Sequence, residues 1–206
     1  MSLRSGCKQI DGVPHLKTDE FSLVYKFLAG YFESMGFKLC YVQNHLDILA
    51  ACEDPATVST FEYCGYVYPL AQTNQMRLED ILMRENPHQP IYTLTTSYRA
   101  EPNPSERHDR VFPMFEFESP VVGRDTNDGF QQLINLCKGL LRWFGFDETK
   151  FVEKTYEELC EYYSVKELTH EHEARMETDF GPVVFLKYFP VRTRYLYFIL
   201  HTYDKH

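Results

Sequence analysis

The stretch that decides the fold is residues 95–118, which read TTSYRAEPNPSERHDRVFPMFEFE. Residues 91–95 before it are mostly β-branched or aromatic, and residues 111–117 form a second run with three phenylalanines. Such runs are typical of β-strands, and the prolines, asparagine and serine between them mark a loop. The stretch therefore predicts an antiparallel hairpin with a long polar loop.

This hairpin is crowded with titratable side chains: Arg99, Glu101, Glu106, Arg107, His108, Asp109, Arg110, Glu116 and Glu118. A guanidinium offers paired donors in a fixed plane to phosphate or carboxylate oxygens. Glu101 lies two residues after Arg99, so on a strand both side chains point to one face. Phe112 on the facing strand could close over a base by stacking. The alternative is a cross-strand ion ladder of Arg99, Glu101, Glu116 and Glu118 on a solvated sheet face.

The order R-A-E, then R-H, F and E-x-E, resembles motif 2 of class II aminoacyl-tRNA synthetases, in the aspartyl/asparaginyl/lysyl branch. The resemblance implies that Arg99 grips the α-phosphate of ATP and the carboxylate being activated, which makes it the expected catalytic residue. It implies that Glu101 accepts a hydrogen bond from the adenine amino group. His108 would sit over the phosphates, and Phe112 would stack on the adenine ring.

The same resemblance implies ATP as a substrate and Mg²⁺ as its metal ion. Glu118 would end the second strand near the metal and the phosphates, and it is counted with the ATP-binding residues. Glu116 or Glu118 would supply the carboxylate that holds Mg²⁺ together with phosphate oxygens.

A second motif lies upstream, where residues 70–75 read LAQTNQ. It resembles a Q-S-P-Q-like loop that a strand delivers to the amino-acid pocket in the same family. Gln72, Gln75 and Arg77 are therefore predicted to bind an amino acid, with Gln75 on its α-amino group. The aspartyl enzymes have a lysine three positions after this glutamine, but Leu78 stands there, so the substrate is left open. Capping of a helix N-terminus by Gln72 and Gln75 is the alternative.

Residues 18–36 predict a helix that Thr18 or Asp19 caps and Gly36 ends, followed by a strand at 37–42. This unit resembles motif 1 of the class, which builds the dimer interface, so a homodimer is expected. Where the class has a proline after the strand, this chain has Gln43-Asn44-His45. A helix packed inside one subunit is the alternative.

The remaining pattern predicts an α+β fold: an antiparallel sheet flanked by helices, like a class II synthetase core that is incomplete at its C-terminus. Residues 1–17 are predicted to be a flexible leader and residues 18–206 a single domain. The other predicted elements are helices at 47–53, 76–84, 125–144, 156–163 and 166–177, strands at 61–70 and 183–189, and a connector at 146–153. Residues 185–190 resemble a family element that lines the amino-acid pocket.

Composition limits the class of protein further. The 206 residues carry a net charge of −9, which disfavours broad non-specific binding to nucleic acid. Six cysteines without a C-x-x-C pair or a signal peptide favour a reducing, cytoplasmic compartment, and no apolar run is long enough to span a membrane. The spacing in His170-Glu171-His172-Glu173 disfavours a metal site, because the two histidines fall on different helix faces.

Two functions stay open. The resemblance implies activation of an amino acid by ATP, with tRNA, ammonia or a protein as the acceptor, as in synthetases or in free-standing asparagine synthetase-like ligases. However, motif 3 needs a glycine-rich turn, and no glycine follows Gly181, although Arg192 and Arg194 are present. An anticodon-binding domain is also not recognised. The alternative is a catalytically inactive relative that binds a nucleotide or an amino acid as a regulatory module.

Overall fold

A computed structural model describes residues 17–43, 55–85, 88–100, 110–120 and 126–190 of the chain. The chain divides into two compact units, Met1–Pro120 and Val121–His206. The predicted helix at 47–53 lies outside the described residues, as does the predicted leader apart from Lys17. The single domain expected over residues 18–206 stays a prediction.

The described part of the first unit begins with helix α1, Thr18–Ser34, and the short strand β1, Lys38–Leu39. The backbone N–H of Lys17 donates to the Glu20 carboxylate at 2.8 Å, so the helix is capped one residue earlier than predicted. Gly36 has a φ of +88°, a left-handed conformation that glycine adopts without strain and that stops the helix. The predicted helix-to-strand unit is present, with a shorter strand.

Residues 60–69 form a two-stranded hairpin and not the single strand predicted over 61–70. Strand β2, Thr60–Tyr63, pairs antiparallel with strand β3, Tyr66–Pro69. Cys64 and Gly65 between them have φ values of +52° and +80°. Two consecutive left-handed residues suit a two-residue turn whose twist matches that of the paired strands. The turn was missed because cysteine is not a residue that usually marks one.

The centre of the unit is the hairpin that the motif predicted. Helix α2, Gln75–Arg84, precedes strand β4, Ile91–Tyr98, which pairs antiparallel with strand β5, Val111–Glu118. The register runs from Ile91 opposite Glu118 to Tyr98 opposite Val111. Strand β1 pairs parallel with the start of β4, so this sheet is mixed rather than wholly antiparallel.

One face of this sheet is aromatic. The Tyr92 ring stacks on Phe115 at 5.0 Å, and Phe32 from α1 lies 4.8 Å from both Phe115 and Phe117, measured between ring centroids. The Tyr92 hydroxyl donates to Glu33 at 2.8 Å, which ties the helix to the strand. Successive side chains along a strand point to opposite faces of the sheet, so a different set of residues lies on the other face.

That opposite face buries hydroxyl groups beside a small apolar cluster. Its buried hydroxyl residues are Thr93, Thr95 and Ser97. Leu78 and Leu82 from α2 pack against Ile91 at one end. Leu78 is fully buried, so it forms core and cannot read the side chain of a bound amino acid.

The described residues of the second unit, 126–190, form three α-helices and two strands. They are α3, Thr126–Trp143; β6, Phe151–Thr155; α4, Tyr156–Tyr163; α5, His170–Phe180; and β7, Val183–Lys187. Strand β6 pairs parallel with β7, with Phe151 opposite Val183. Strand β6 therefore begins within residues 146–153, for which a connector is predicted. The Glu153 carboxylate accepts from Lys138 and Lys187, which makes this charged strand stable beside β7.

The helix ends of the second unit follow their capping residues. At α4 the N–H of Glu158 donates to the Thr155 hydroxyl at 3.1 Å, and the N–H of Thr155 donates to the Glu158 carboxylate at 2.7 Å. The two residues therefore form a capping box. Helix α5 begins after Thr169, not at residue 166, because the His172 ring accepts from the Thr169 N–H at 3.0 Å. In the described parts of the chain, no helix is both long and apolar enough to cross a membrane.

Candidate functional site

Arg99 continues β4 just beyond Tyr98. Its N–H donates to the Arg110 carbonyl at 2.8 Å, and Val58 bridges it on the other side. The register makes Arg99 and Phe112 diagonal neighbours on one sheet face, and the guanidinium carbon lies 5.3 Å from the centre of the Phe112 ring. The structure therefore brings this predicted pair together.

The guanidinium of Arg99 is not fully engaged by the protein. Its Nε is buried and has no hydrogen-bond partner among the described residues. A buried N–H without an acceptor is costly, and an anionic ligand would satisfy it. Glu101 and His108, the other two residues predicted for the ATP site on the loop, lie outside the described residues.

Gln72 faces inward rather than towards a ligand. Its side chain is 5% exposed, and its amide nitrogen donates to the Thr57 hydroxyl at 2.8 Å. The backbone carbonyl of Gln72 accepts from the Ser97 hydroxyl at 2.7 Å. The amide nitrogen of Gln72 is thus engaged by Thr57, and its role in amino-acid binding stays a prediction. The two contacts show that Gln72 holds the loop against β4.

Gln75 opens helix α2, and its side chain hydrogen-bonds the carboxyl group of Glu118. Glu79 lies one helical turn after Gln75 and so shares its face of the helix. Arg77 is two residues after Gln75, and residues with this spacing point to different faces. The structure therefore groups Gln75 with Glu118, and the role of Arg77 stays a prediction.

The pKa of the Glu118 carboxyl group is strongly raised. Burial is the main cause that raises its pKa to about 7, and the charges of Glu79 and Glu116 raise it further. The hydrogen bond from Gln75 acts in the opposite direction. At neutral pH this group therefore exists in both protonation states, which fits a position beside a ligand that carries a positive charge.

Glu116 is buried and accepts hydrogen bonds from three residues of the chain. The hydroxyls of Thr73 and Thr95 and the N–H of Asn74 all donate to its carboxylate. Thr73, Asn74 and Thr95 were not predicted from the sequence. Threonine and serine at every second position of β4 were the signal that could have found this polar face.

The predicted Mg²⁺ role of the two glutamates does not fit their surroundings. Both carboxylate oxygens of Glu116 already accept hydrogen bonds from donors of the protein. Glu118 pairs with Ile91, eight residues before Arg99 on the same strand, which is roughly 26 Å of strand rise. Glu118 is therefore far from the phosphate that Arg99 is predicted to hold. In the described part of the chain, no group of three His, Cys, Asp or Glu side chains could hold a metal ion.

The face has two ends with different chemistry. One end has the guanidinium of Arg99 and the ring of Phe112. The other end has the amide of Gln75 and the carboxyl group of Glu118. Phe112 and Glu118 are six residues apart on β5, which is roughly 20 Å.

The fold places the chain among known structures, although no family model and no curated protein matches its sequence. Asparaginyl-tRNA synthetase from Entamoeba histolytica matches with a TM-score of 0.64 and 18% identity, over 82% of this chain and 43% of that one. The Pyrococcus horikoshii enzyme, solved in complex with asparaginyl-adenylate, matches with a TM-score of 0.63 and 18% identity, over 80% and 42%.

A more distant match is an ATP phosphoribosyltransferase regulatory subunit/histidyl-tRNA synthetase from Bacillus halodurans. Its TM-score is 0.54 at 12% identity, over 72% of this chain and 40% of that one.

These matches define the class of fold: it is that of the class II aminoacyl-tRNA synthetase catalytic core. Within that class the chain is similar to asparaginyl-tRNA synthetases, so the predicted likeness to the aspartyl/asparaginyl/lysyl branch is confirmed at the level of the fold. The chain spans about two fifths of the length of the synthetases it matches.

Proposed function

We propose that this chain activates an amino acid with ATP to form an aminoacyl-adenylate. The observation that carries the proposal is the pairing of Arg99 with Phe112, in which a buried guanidinium N–H has no acceptor among the described residues. The proposal is supported by the synthetase-like fold and by a solved relative that holds asparaginyl-adenylate.

The reaction needs placement and charge stabilisation rather than a covalent enzyme intermediate. A carboxylate oxygen of the amino acid attacks the α-phosphorus of ATP and forms a C–O–P bond. The bond from that phosphorus to the bridging oxygen breaks, and pyrophosphate leaves with the electron pair. Arg99 would hold the non-bridging oxygens and stabilise the charge that develops on them.

The resemblance assigns one residue to each substrate. Phe112 would stack on the adenine ring, and Gln75 would receive the α-amino group. Glu101 and His108 keep their predicted roles at the base and the phosphates. The acceptor is a tRNA, ammonia or a protein.

The test is exchange of labelled pyrophosphate into ATP, measured with each of the twenty amino acids in turn. We expect exchange with one amino acid, and we expect Arg99→Ala to lower the rate by about a hundredfold or more, as loss of a donor to a developing oxyanion does. Arg99→Lys should also be impaired, because an ammonium cannot copy the paired donors.

The matched control is Arg142→Ala in the second unit, where Arg142 pairs with Glu148 at 2.9 Å. It should keep the wild-type exchange rate. If no amino acid supports exchange while ATP still binds in an Arg99-dependent way, the chain is a nucleotide-binding module and the enzymatic proposal is wrong. If ATP does not bind, both are wrong.

A further inference from the structure

Glu116 occupies the junction of three segments: the loop at residues 72–75, helix α2 and strand β4. Its Oε1 accepts from the Thr73 hydroxyl and from the Asn74 N–H at 3.0 Å. Its Oε2 accepts from the same N–H at 3.1 Å and from the Thr95 hydroxyl at 2.5 Å. A carboxylate has about four acceptor positions, so these contacts leave none for a ligand.

The start of helix α2 depends on this carboxylate. Asn74 is the N-cap residue, and asparagine usually caps with its own side chain. Here that side chain makes no cap hydrogen bond, and its two polar atoms are buried without a partner among the described residues. Glu116 takes the Asn74 N–H instead, and the Thr73 hydroxyl accepts from the Gln75 N–H at 3.2 Å. A negative charge at this position also suits the positive end of the helix.

This arrangement differs from the loop that the sequence resembles. A Q-S-P-Q-like loop has proline where this chain has Asn74, and proline has no N–H to donate. The hydrogen bond from Asn74 to Glu116 is therefore a feature of this chain's own loop. It links β5 directly to the residue before Gln75.

We propose that Glu116 is a positioning residue, which fixes the turn at Thr73 and Asn74 and thereby orients Gln75 towards the amino-acid ligand. The effect on the ligand rests on the function proposed above, whereas the effect on the loop does not. The same contacts keep Gln75 within reach of Glu118, two residues after Glu116 on the same face.

The first experiment measures the loop itself by hydrogen exchange and mass spectrometry on the whole chain. In Glu116→Gln, we expect the amides of residues 73–76 to exchange at least about tenfold faster, because an amide oxygen replaces only part of the carboxylate's acceptors. Peptides from helix α1, Thr18–Ser34, in the same unit should keep their wild-type rates, which excludes unfolding of the first unit. Glu62→Gln, at an exposed position of β2, is the matched control.

The second experiment uses a milder pair of variants at Thr73. Thr73→Val removes the hydroxyl that bonds Glu116 and accepts from Gln75, whereas Thr73→Ser keeps it. In pyrophosphate exchange we expect Thr73→Val to raise KM for the amino acid by about tenfold, with kcat and KM for ATP changed less than about twofold. Thr73→Ser should restore the wild-type values.

The outcomes separate this inference from the proposed function. Wild-type amide exchange at residues 73–76 in both Glu116→Gln and Thr73→Val would overturn the inference, whatever the activity. So would an unchanged KM for the amino acid in an active Thr73→Val enzyme. If no amino acid supports pyrophosphate exchange, the proposed function is wrong, and the faster amide exchange alone decides whether Glu116 fixes the loop.

Discussion

Two glutamates on β5, separated by a single residue, have opposite surroundings. Glu116 receives hydroxyl and N–H donors from three residues, whereas Glu118 receives a side-chain donor from Gln75 and faces the charge of Glu79. Both look alike in the motif E-x-E. Their neighbours make one of them a structural acceptor and leave the other able to gain and lose a proton near neutral pH.

We predict that Glu118 makes the stability of the chain depend on pH. Its pKa is about 7 in the folded state and near its ordinary value in the unfolded chain, so its contribution is fully present below about pH 4.5 and is lost as the pH rises through 7. The free energy of unfolding should fall by at most about 3 kcal/mol between pH 5 and pH 8 from this group. Urea unfolding at pH 5, 6, 7 and 8 measures it.

Glu118→Gln is the variant that checks the cause, because it cannot titrate. It should flatten the fall in stability between pH 5 and pH 8, whereas Glu62→Gln on the exposed strand β2 should not. A fall of the same size in wild type and Glu118→Gln would assign the pH dependence to other groups.

At the scale of elements, capping and turn chemistry decided where the helices and strands begin and end. The capping box at Thr155 and Glu158 can be predicted from the sequence, because the two residues are only three positions apart and contact each other directly. The cap of α2 was not readable, since its acceptor comes from β5, more than forty residues away in the chain. Local sequence patterns predict local contacts, whereas the loop at residues 72–75 depends on a contact with a residue that is distant in the chain.

The β2–β3 turn offers a test at this scale. Gly65 has a φ of +80°, which a residue with a branched side chain adopts only with strain. We expect Gly65→Val to lower the free energy of unfolding by about 1–2 kcal/mol. Cys64→Asn should have the opposite sign, because asparagine tolerates the left-handed conformation better than cysteine. Thermal or urea unfolding of both variants measures the pair.

The change in stability would report the backbone conformation of the β2–β3 turn, because an added Cβ at Gly65 meets no atom within 4 Å. Any loss in Gly65→Val therefore comes from backbone conformation and not from a clash. Equal stability of wild type and Gly65→Val would mean that this turn is not left-handed in solution.

For the whole molecule, the homodimer predicted from the motif 1 resemblance can be tested on α1. Leu23 and Phe27 lie one helical turn apart and are 56% and 41% exposed. Exposed apolar residues on one helix face are typical of a surface that a partner covers. We expect Leu23→Glu to shift the chain from dimer to monomer in sedimentation velocity at micromolar concentration, while Met83→Glu, at an exposed position of α2, leaves the dimer intact.

A monomer at every concentration in the wild type would contradict the homodimer. The alternative, a helix packed within one subunit, would then describe α1. The contacts of Phe32 with the aromatic face of the sheet are present in either case.

The sequence by itself determined the hairpin, the places of Arg99 and Phe112 on its two facing segments, and most of the helices. The reason is that alternation, aromatic runs and capping residues act over short distances in the chain. Only the tertiary structure decided which polar groups of the site have hydrogen-bond partners within the protein. It turned Gln72 inward onto Thr57, filled the oxygens of Glu116 and left Glu118 to titrate beside Gln75. A hydrogen bond or a pKa depends on neighbours that the chain brings together from distant positions, and no local pattern contains them.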